Sequence, residues 1–266
     1  MLVRSLLHVS ITLIIIILLS FSGLFDSVQT ELGLEHYAER PSLFLPFMSK
    51  EWIVWLKLPA NATVNIGYTI IGLYWLFYTN RNYSGHTIHI YYFKVFGWFG
   101  VFYGFIQFAR IVTQEHRYSV LDQWVTLPCF MWVTAWCKSI DQVHNPSRNA
   151  LLICISAASY GACLFHKFGF EFILGMHIAA AVLSALRLYS DYNNIKSFNA
   201  FIYAVICTSG FVGLKLMDHE IGKLHIFFQY FSGHFWSKIA DFMQLYYVPV
   251  FFAGIIETKL KINKSL

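Results

Sequence analysis

The chain has 266 residues, of which 57% are hydrophobic and only 12% charged, about half the charged share of an average soluble domain. A soluble fold of this size has nowhere to hide so much apolar surface. The formal charge of +5 is spread thinly, with no basic block of the kind that grips nucleic acid. These features point to an all-α, polytopic membrane helix bundle. Aromatic residues, at 19%, suit the interfaces where Trp and Tyr collect, and the surplus positive charge suits weak attraction to lipid headgroups.

A spanning helix needs about 20 mostly apolar residues. Segments 5–25, 62–79, 91–112, 119–138, 149–165, 171–188, 198–217 and 234–256 qualify. They predict an N-terminal anchor helix within 1–25, an acidic loop at 26–61, a seven-helix core at 62–256 and a basic tail at 257–266. No repeat or second domain is visible. In the first segment, "MLVRSLLHVSITLIIIILLSFSG", Ser20 and Ser22 are spaced like a signal-peptidase site. A cleaved signal peptide is therefore the alternative, although the apolar run continues to Phe25 and favours a retained anchor. The loop "FDSVQTELGLEHYAERPSLF" is expected to fold back on the bundle, with "WIVWLKLP" lying at the interface.

Eight spans put both ends on one side, and a slight Lys/Arg excess there predicts cytosolic termini and a lumenal acidic loop. Sequons begin at Asn61, Asn82 and Asn263; in this orientation only Asn61 is lumenal, close to the membrane surface. Cys129, Cys137, Cys154, Cys163 and Cys207 all fall in apolar segments without C-x-x-C spacing, so they are expected to pack as small hydrophobes between helices.

Polar residues within the spans are costly and normally face the bundle. In "GHFWSKIADFMQ", His234, Lys238 and Asp241 stand at i, i+4 and i+7, with Ser237 and Gln244 on the same face. Two readings stand: a functional polar core, or interhelical glue with Lys238 snorkelling to headgroups. In "GWFGVFYGFIQFAR", Gly97, Gly100 and Gly104 admit a neighbouring backbone and carry Gln107 inward, while Arg110 reads as an interface residue. Asp122 either sits at a helix N-terminus, favoured by the dipole, or points inward toward Lys238. His177 reads as a hydrogen-bonded core histidine, and Lys215 and Asp218 as solvated.

"FDSVQTELGLEHYAE", "VLDQWVTLPCF" with "AWC", and "LKLMDHE" with "GHFWSKIADFMQ" resemble the transmembrane protein 187 family across nearly the whole chain. The last seven spans more distantly resemble the seven-helix membrane hydrolase superfamily of alkaline ceramidases, adiponectin/progestin-type receptors and GPI-anchor remodelling proteins. The Asn61 and Asn65 of "NATVN", Asp122, and His234 of "HFWSK" match that superfamily's motifs. Its second C-terminal histidine is Lys238 here, its serine falls at Gln107 and its other histidine at Ile111. Of the zinc ligands the resemblance implies, only His234 remains; His116 is expected in a loop. No cofactor or metal is expected, and Lys238 is read as an ammonium replacing the metal among Asp122, Asp241, Gln107 and His234.

The leading expectation is a non-catalytic superfamily member in an endomembrane compartment, either the endoplasmic reticulum or the Golgi, that binds lipid or a membrane partner. An active lipid hydrolase is the alternative, with Ser237 beside Lys238 as its only suggestive nucleophile. A transporter ranks third, because Pro128 and Pro249 are single helix breakers rather than the broken-helix pairs such folds use.

Overall fold

The computed structural model describes residues 1–82, 87–142 and 144–265. All regular structure among the described residues is helical. The long helices are α1 (Leu2–Ser20), α4 (Ile66–Asn82), α5 (Thr87–Thr113), α6 (His116–Asp141), α7 (Pro146–Ser159), α8 (Gly169–Asp191), α9 (Ile195–Leu216) and α12 (Gly233–Ser265). Short helices α2 (Lys50–Leu56) and α3 (Pro59–Thr63) lie before α4, and α10 (Asp218–Leu224) and α11 (Phe227–Tyr230) lie between α9 and α12. Local chemistry starts several of them. Asn145 Oδ1 accepts from Arg148 N at 3.0 Å ahead of α7, whose first residue is Pro146. Asn194 Oδ1 accepts from Ser197 N at 2.8 Å ahead of α9. A side-chain acceptor at the N-cap and a proline at the first position both suit a helix start.

Among the described residues, five stretches are long and apolar enough to cross a membrane: Leu2–Ser20, Ile88–Thr113, Gly169–Asp191, Ile195–Leu216 and Gly233–Ile262. The other three expected spans differ for physical reasons. α4 has 17 residues, and α7 has 14 before it tightens into a 3₁₀ turn at Tyr160–Leu164. α6 is long but polar, and its place in the bundle accounts for this. It packs on α1, α5, α7 and α8, and buries sixteen of its 26 residues; lipid hardly meets it, so apolarity is not demanded of it. α9 is the opposite case, burying only Ser197 and Ala200. Neither Pro128 nor Pro249 breaks its helix.

Helix directions alternate, so both ends of the chain reach one face of the bundle. On that face His8 Nδ1 shares a hydrogen bond with Tyr91 OH at 2.5 Å, Lys259 Nζ donates to the Ile140 carbonyl, and Asn194 Nδ2 donates to Thr258 Oγ1 at 3.0 Å. On the opposite face Phe25 packs edge-on to Trp124, with centroids 4.5 Å apart. Without a hydrophobic drive between helices inside lipid, close van der Waals approach holds such bundles. The α4–α5 crossing shows it: a Cβ on Gly72 would stand 2.6 Å from the Gly97 carbonyl oxygen. Trp136 of α6 stacks on Phe252 of α12 at 3.9 Å.

The loop after α1 folds back as expected. Within "WIVWLKLP", Trp52, Val54 and Trp55 of α2 are exposed, an arrangement suited to an interface. Asn61 is fully buried inside α3, so it is no glycan acceptor in this fold. The sequon at Asn82 runs into residues outside the described set, as does the side chain of Asn263. The cysteines are free; Cys137 and Cys163 are buried and Cys129 and Cys207 half-buried, whereas Cys154 is exposed on α7, contrary to the packed position expected.

Candidate functional site

Three helices bring a polar cluster together. On α5, Tyr103, Gln107 and Arg110 recur at helical spacing and share one face. On α6, Asp122 and Thr126 stand one turn apart; on α12, so do His234, Lys238 and Asp241. Gln107 Nε2 donates to Asp122 Oδ1 and, at 2.5 Å, to Tyr103 OH. Its Oε1 accepts from Lys238 Nζ at 2.7 Å. Arg110 Nη1 pairs with Asp122 Oδ2. Thr126 Oγ1 donates to the Asp122 carbonyl at 2.9 Å. Gln107, Arg110, Asp122, His234, Ser237 and Lys238 are all buried. Within this cluster two basic side chains, Arg110 and Lys238, stand against two acidic ones, Asp122 and Asp241.

Several expectations need correction. Arg110 is an interior residue, only 7% exposed, because Asp122 stands opposite it. Asp122 does not meet Lys238 directly; Gln107 stands between them. Nor is Asp122 an N-terminal residue, since α6 begins at His116 and dipole stabilisation fades within the first turn. His116 opens α6 rather than lying in a loop, and its Nε2 bonds to the Val28 carbonyl at 2.6 Å. Asp218 is not solvated but 2% exposed, accepting from the backbone N–H groups of Ala38 and His234, both at 2.7 Å. Lys215 pairs with Glu31 at 2.7 Å. His177 is the core histidine expected, bonded to Ser156 Oγ at 2.9 Å.

Sequence reasoning missed two groups of partners. Tyr68 of α4, fully buried, donates to Asp241 Oδ2 at 2.5 Å; nothing in an aromatic-rich helix singled it out. The second group is the strap of residues 28–40, which covers the mouth of the cluster. Arg110 Nη2 donates to the Glu31 carbonyl at 3.4 Å, and the Tyr37 ring lies 4.5 Å from the His234 ring. Glu39 is tied to the start of α3, accepting from Ala60 N at 2.8 Å, Asn61 N at 2.9 Å and Asn61 Nδ2 at 2.6 Å. Burial pushes the Glu39 carboxyl up to about 7, against the downward pull of these donors and with a smaller upward push from Asp218.

The zinc implied by the distant resemblance does not fit these residues. Catalytic zinc takes three protein ligands and an open position. Asp122 is engaged by Arg110 and Gln107, Lys238 donates into the cluster, and Ile111 is packed against an apolar group including Tyr37 and Leu58. Among the described residues no group of three His, Cys, Asp or Glu side chains is placed to hold a metal. His234 Nε2 is buried without a partner. Ser237 Oγ spends its proton on the His234 carbonyl at 2.7 Å, so no side-chain base activates it. Toward the membrane centre, Asp241 and Gln244 line a slim apolar cavity with Tyr68, Phe99 and Val248.

Residues 5–253 match the TMEM187 protein family. Transmembrane protein 187 of Homo sapiens is 41% identical over 231 residues, 87% of this chain and 84% of its own length. Transmembrane protein 187 of Bos taurus is 37% identical over 255 residues, 95% of this chain and 96% of its own. No solved structure matches significantly. With its apolar helices and a match across nearly its whole length, the chain belongs to the TMEM187 family of multi-pass integral membrane proteins.

Proposed function

We propose that this chain is an endomembrane protein with eight spans and cytosolic ends that binds lipid or a membrane partner without hydrolysing it. One observation carries the non-catalytic reading: Lys238 Nζ donates to Gln107, and through it reaches the Asp122–Arg110 pair. An ammonium fills the electrostatic role that a metal would have, and it brings no activated water. The endomembrane placement draws on the resemblance to the hydrolase superfamily. The slim cavity beside Asp241, apolar with a few polar atoms, is of the kind that receives part of an amphiphile.

The test is elemental analysis of detergent-purified protein together with turnover of ceramide and phospholipid substrates. Zinc well below one per chain and no turnover are expected. Stoichiometric zinc that is lost in His234→Ala would restore the hydrolase reading.

A further inference from the structure

α1 and α7 each pack on α6 and leave between them a groove of about 680 Å³, inside the range of small-molecule sites. Along α1 it runs from Met1 to Leu19, about 27 Å at 1.5 Å per residue, most of the hydrocarbon depth. Ile11, Ile15, Ile153 and Ala157 give it apolar walls, and Trp124, held by its indole N–H to the Ala157 carbonyl at 2.8 Å, forms part of the floor.

One end of the groove is different. Arg4, His144 and Asn149 line it there; Arg148, which precedes Asn149 in α7, is not part of the wall, but its charge and that of Arg4 both act on the His144 ring. Asn149 is 2% exposed; its Nδ2 donates to Tyr92 OH at 2.5 Å, while its Oδ1 has no partner. Arg148 donates from Nη1 to Gln142 Oε1 at 2.5 Å, but its Nε and Nη2, both shielded from solvent, are unmatched. Neither arginine takes part in an ion pair among the described residues. Buried donors and acceptors are normally satisfied, and guanidinium groups match phosphate oxygens in geometry as well as charge. Polarity confined to one end of a long apolar groove fits an amphiphile with a single charged head. A purely apolar partner helix would leave the guanidinium groups without an anion.

We infer that the α1–α7 groove binds an anionic phospholipid of the leaflet on the side of the chain ends, with an acyl chain along α1 and the phosphate at Arg4 and Arg148. This deepens the lipid-binding reading above by naming the lipid class and its place. The groove is separate from the polar core, so the metal assay and the lipid assay can fail independently.

The experiment is native mass spectrometry of the full chain titrated with phosphatidylserine, phosphatidylinositol or phosphatidylcholine. Both anionic lipids should bind at least about tenfold tighter than phosphatidylcholine; a preference for the inositol or serine head identifies the source. Arg4→Gln with Arg148→Gln should reduce that preference to none. Ala150→Trp, an exposed groove position on α7, should weaken all three lipids while leaving thermal stability in place. Equal binding of the three lipids, an anionic preference surviving the double arginine substitution, or binding of all three unchanged in Ala150→Trp would overturn the assignment.

Discussion

Gln107 carries a donor and an acceptor in one planar amide, which lets it stand between an ammonium and a carboxylate. The pair beyond it, Arg110 and Asp122, is buried, and removing one partner of such a pair is far costlier than replacing both. Asp122→Ala should destabilise the protein by about 3–5 kcal/mol, with Arg110→Met plus Asp122→Leu recovering most of it. Lys238→Ala, which takes the donor from Gln107 Oε1, should cost about 1–3 kcal/mol. Thermal melting in detergent reads all three; a neutral Lys238→Ala would mean that the ammonium balances nothing. Glu39 sets a pH dependence at the strap. Its carboxyl, raised to about 7 in the fold, holds a proton that the released strap gives up near the ordinary value of about 4.3. Docking of residues 28–40 therefore weakens as pH rises from about 4.5 to 7, and is level above that. Hydrogen exchange in the strap should quicken across that window, and Glu39→Gln should flatten the response. Exchange that slows as pH rises, after correction for intrinsic rate, would reverse the sign and reject the assignment.

At the scale of elements, the α4–α5 crossing and the α8 helix respond differently to the same change. A Cβ on Gly72 meets the Gly97 carbonyl oxygen at 2.6 Å and Val101 N at 2.7 Å. Both are backbone atoms that cannot swing aside. Gly72→Ala should therefore cost about 1–3 kcal/mol as overpacking, whereas Gly175→Ala, in mid-α8 with nothing within 4 Å, should gain about 0.5–1 kcal/mol in helix preference. Equal melting shifts for the two would show that the crossing is looser than its geometry. The glycine stripe on α5 was legible because small residues at helical spacing have one use in a membrane. Gln107, Asp122, His234 and Lys238 were legible because lipid penalises them. Arg110 was not, since a cation near a helix end ordinarily reaches headgroups; its partner comes from another helix. The strap was hidden for a related reason. Its ties at Glu31, Tyr37 and Glu39 are scattered contacts to residues on other elements, and no periodicity records them.

At the scale of the molecule, alternating helix direction brings Arg4, Arg148, Lys196 and Lys259 to the face that holds both ends. α12 is 33 residues long, about 50 Å, so it exceeds the roughly 30 Å hydrocarbon layer and carries Lys259, Lys261 and Lys264 out on that face. Basic residues flanking spans are retained in the cytosol, which argues that this face is cytosolic. α1 bears on the same question. Ser5, Val9, Leu13, Ile16 and Ser20 form a buried stripe on it, packed on α5 and α6, as suits a retained helix more than a cleaved leader. Epitope tags at the two ends should both react with antibody when only the plasma membrane of expressing cells is permeabilised, and a tag inserted at the exposed Phe47 of the 26–61 loop should stay hidden until the inner membranes are opened. End tags on opposite sides would require an odd number of crossings, in conflict with the alternation of eight rods. An N-terminal tag removed from the mature chain would take α1 out of the bundle and the α1–α7 groove with it.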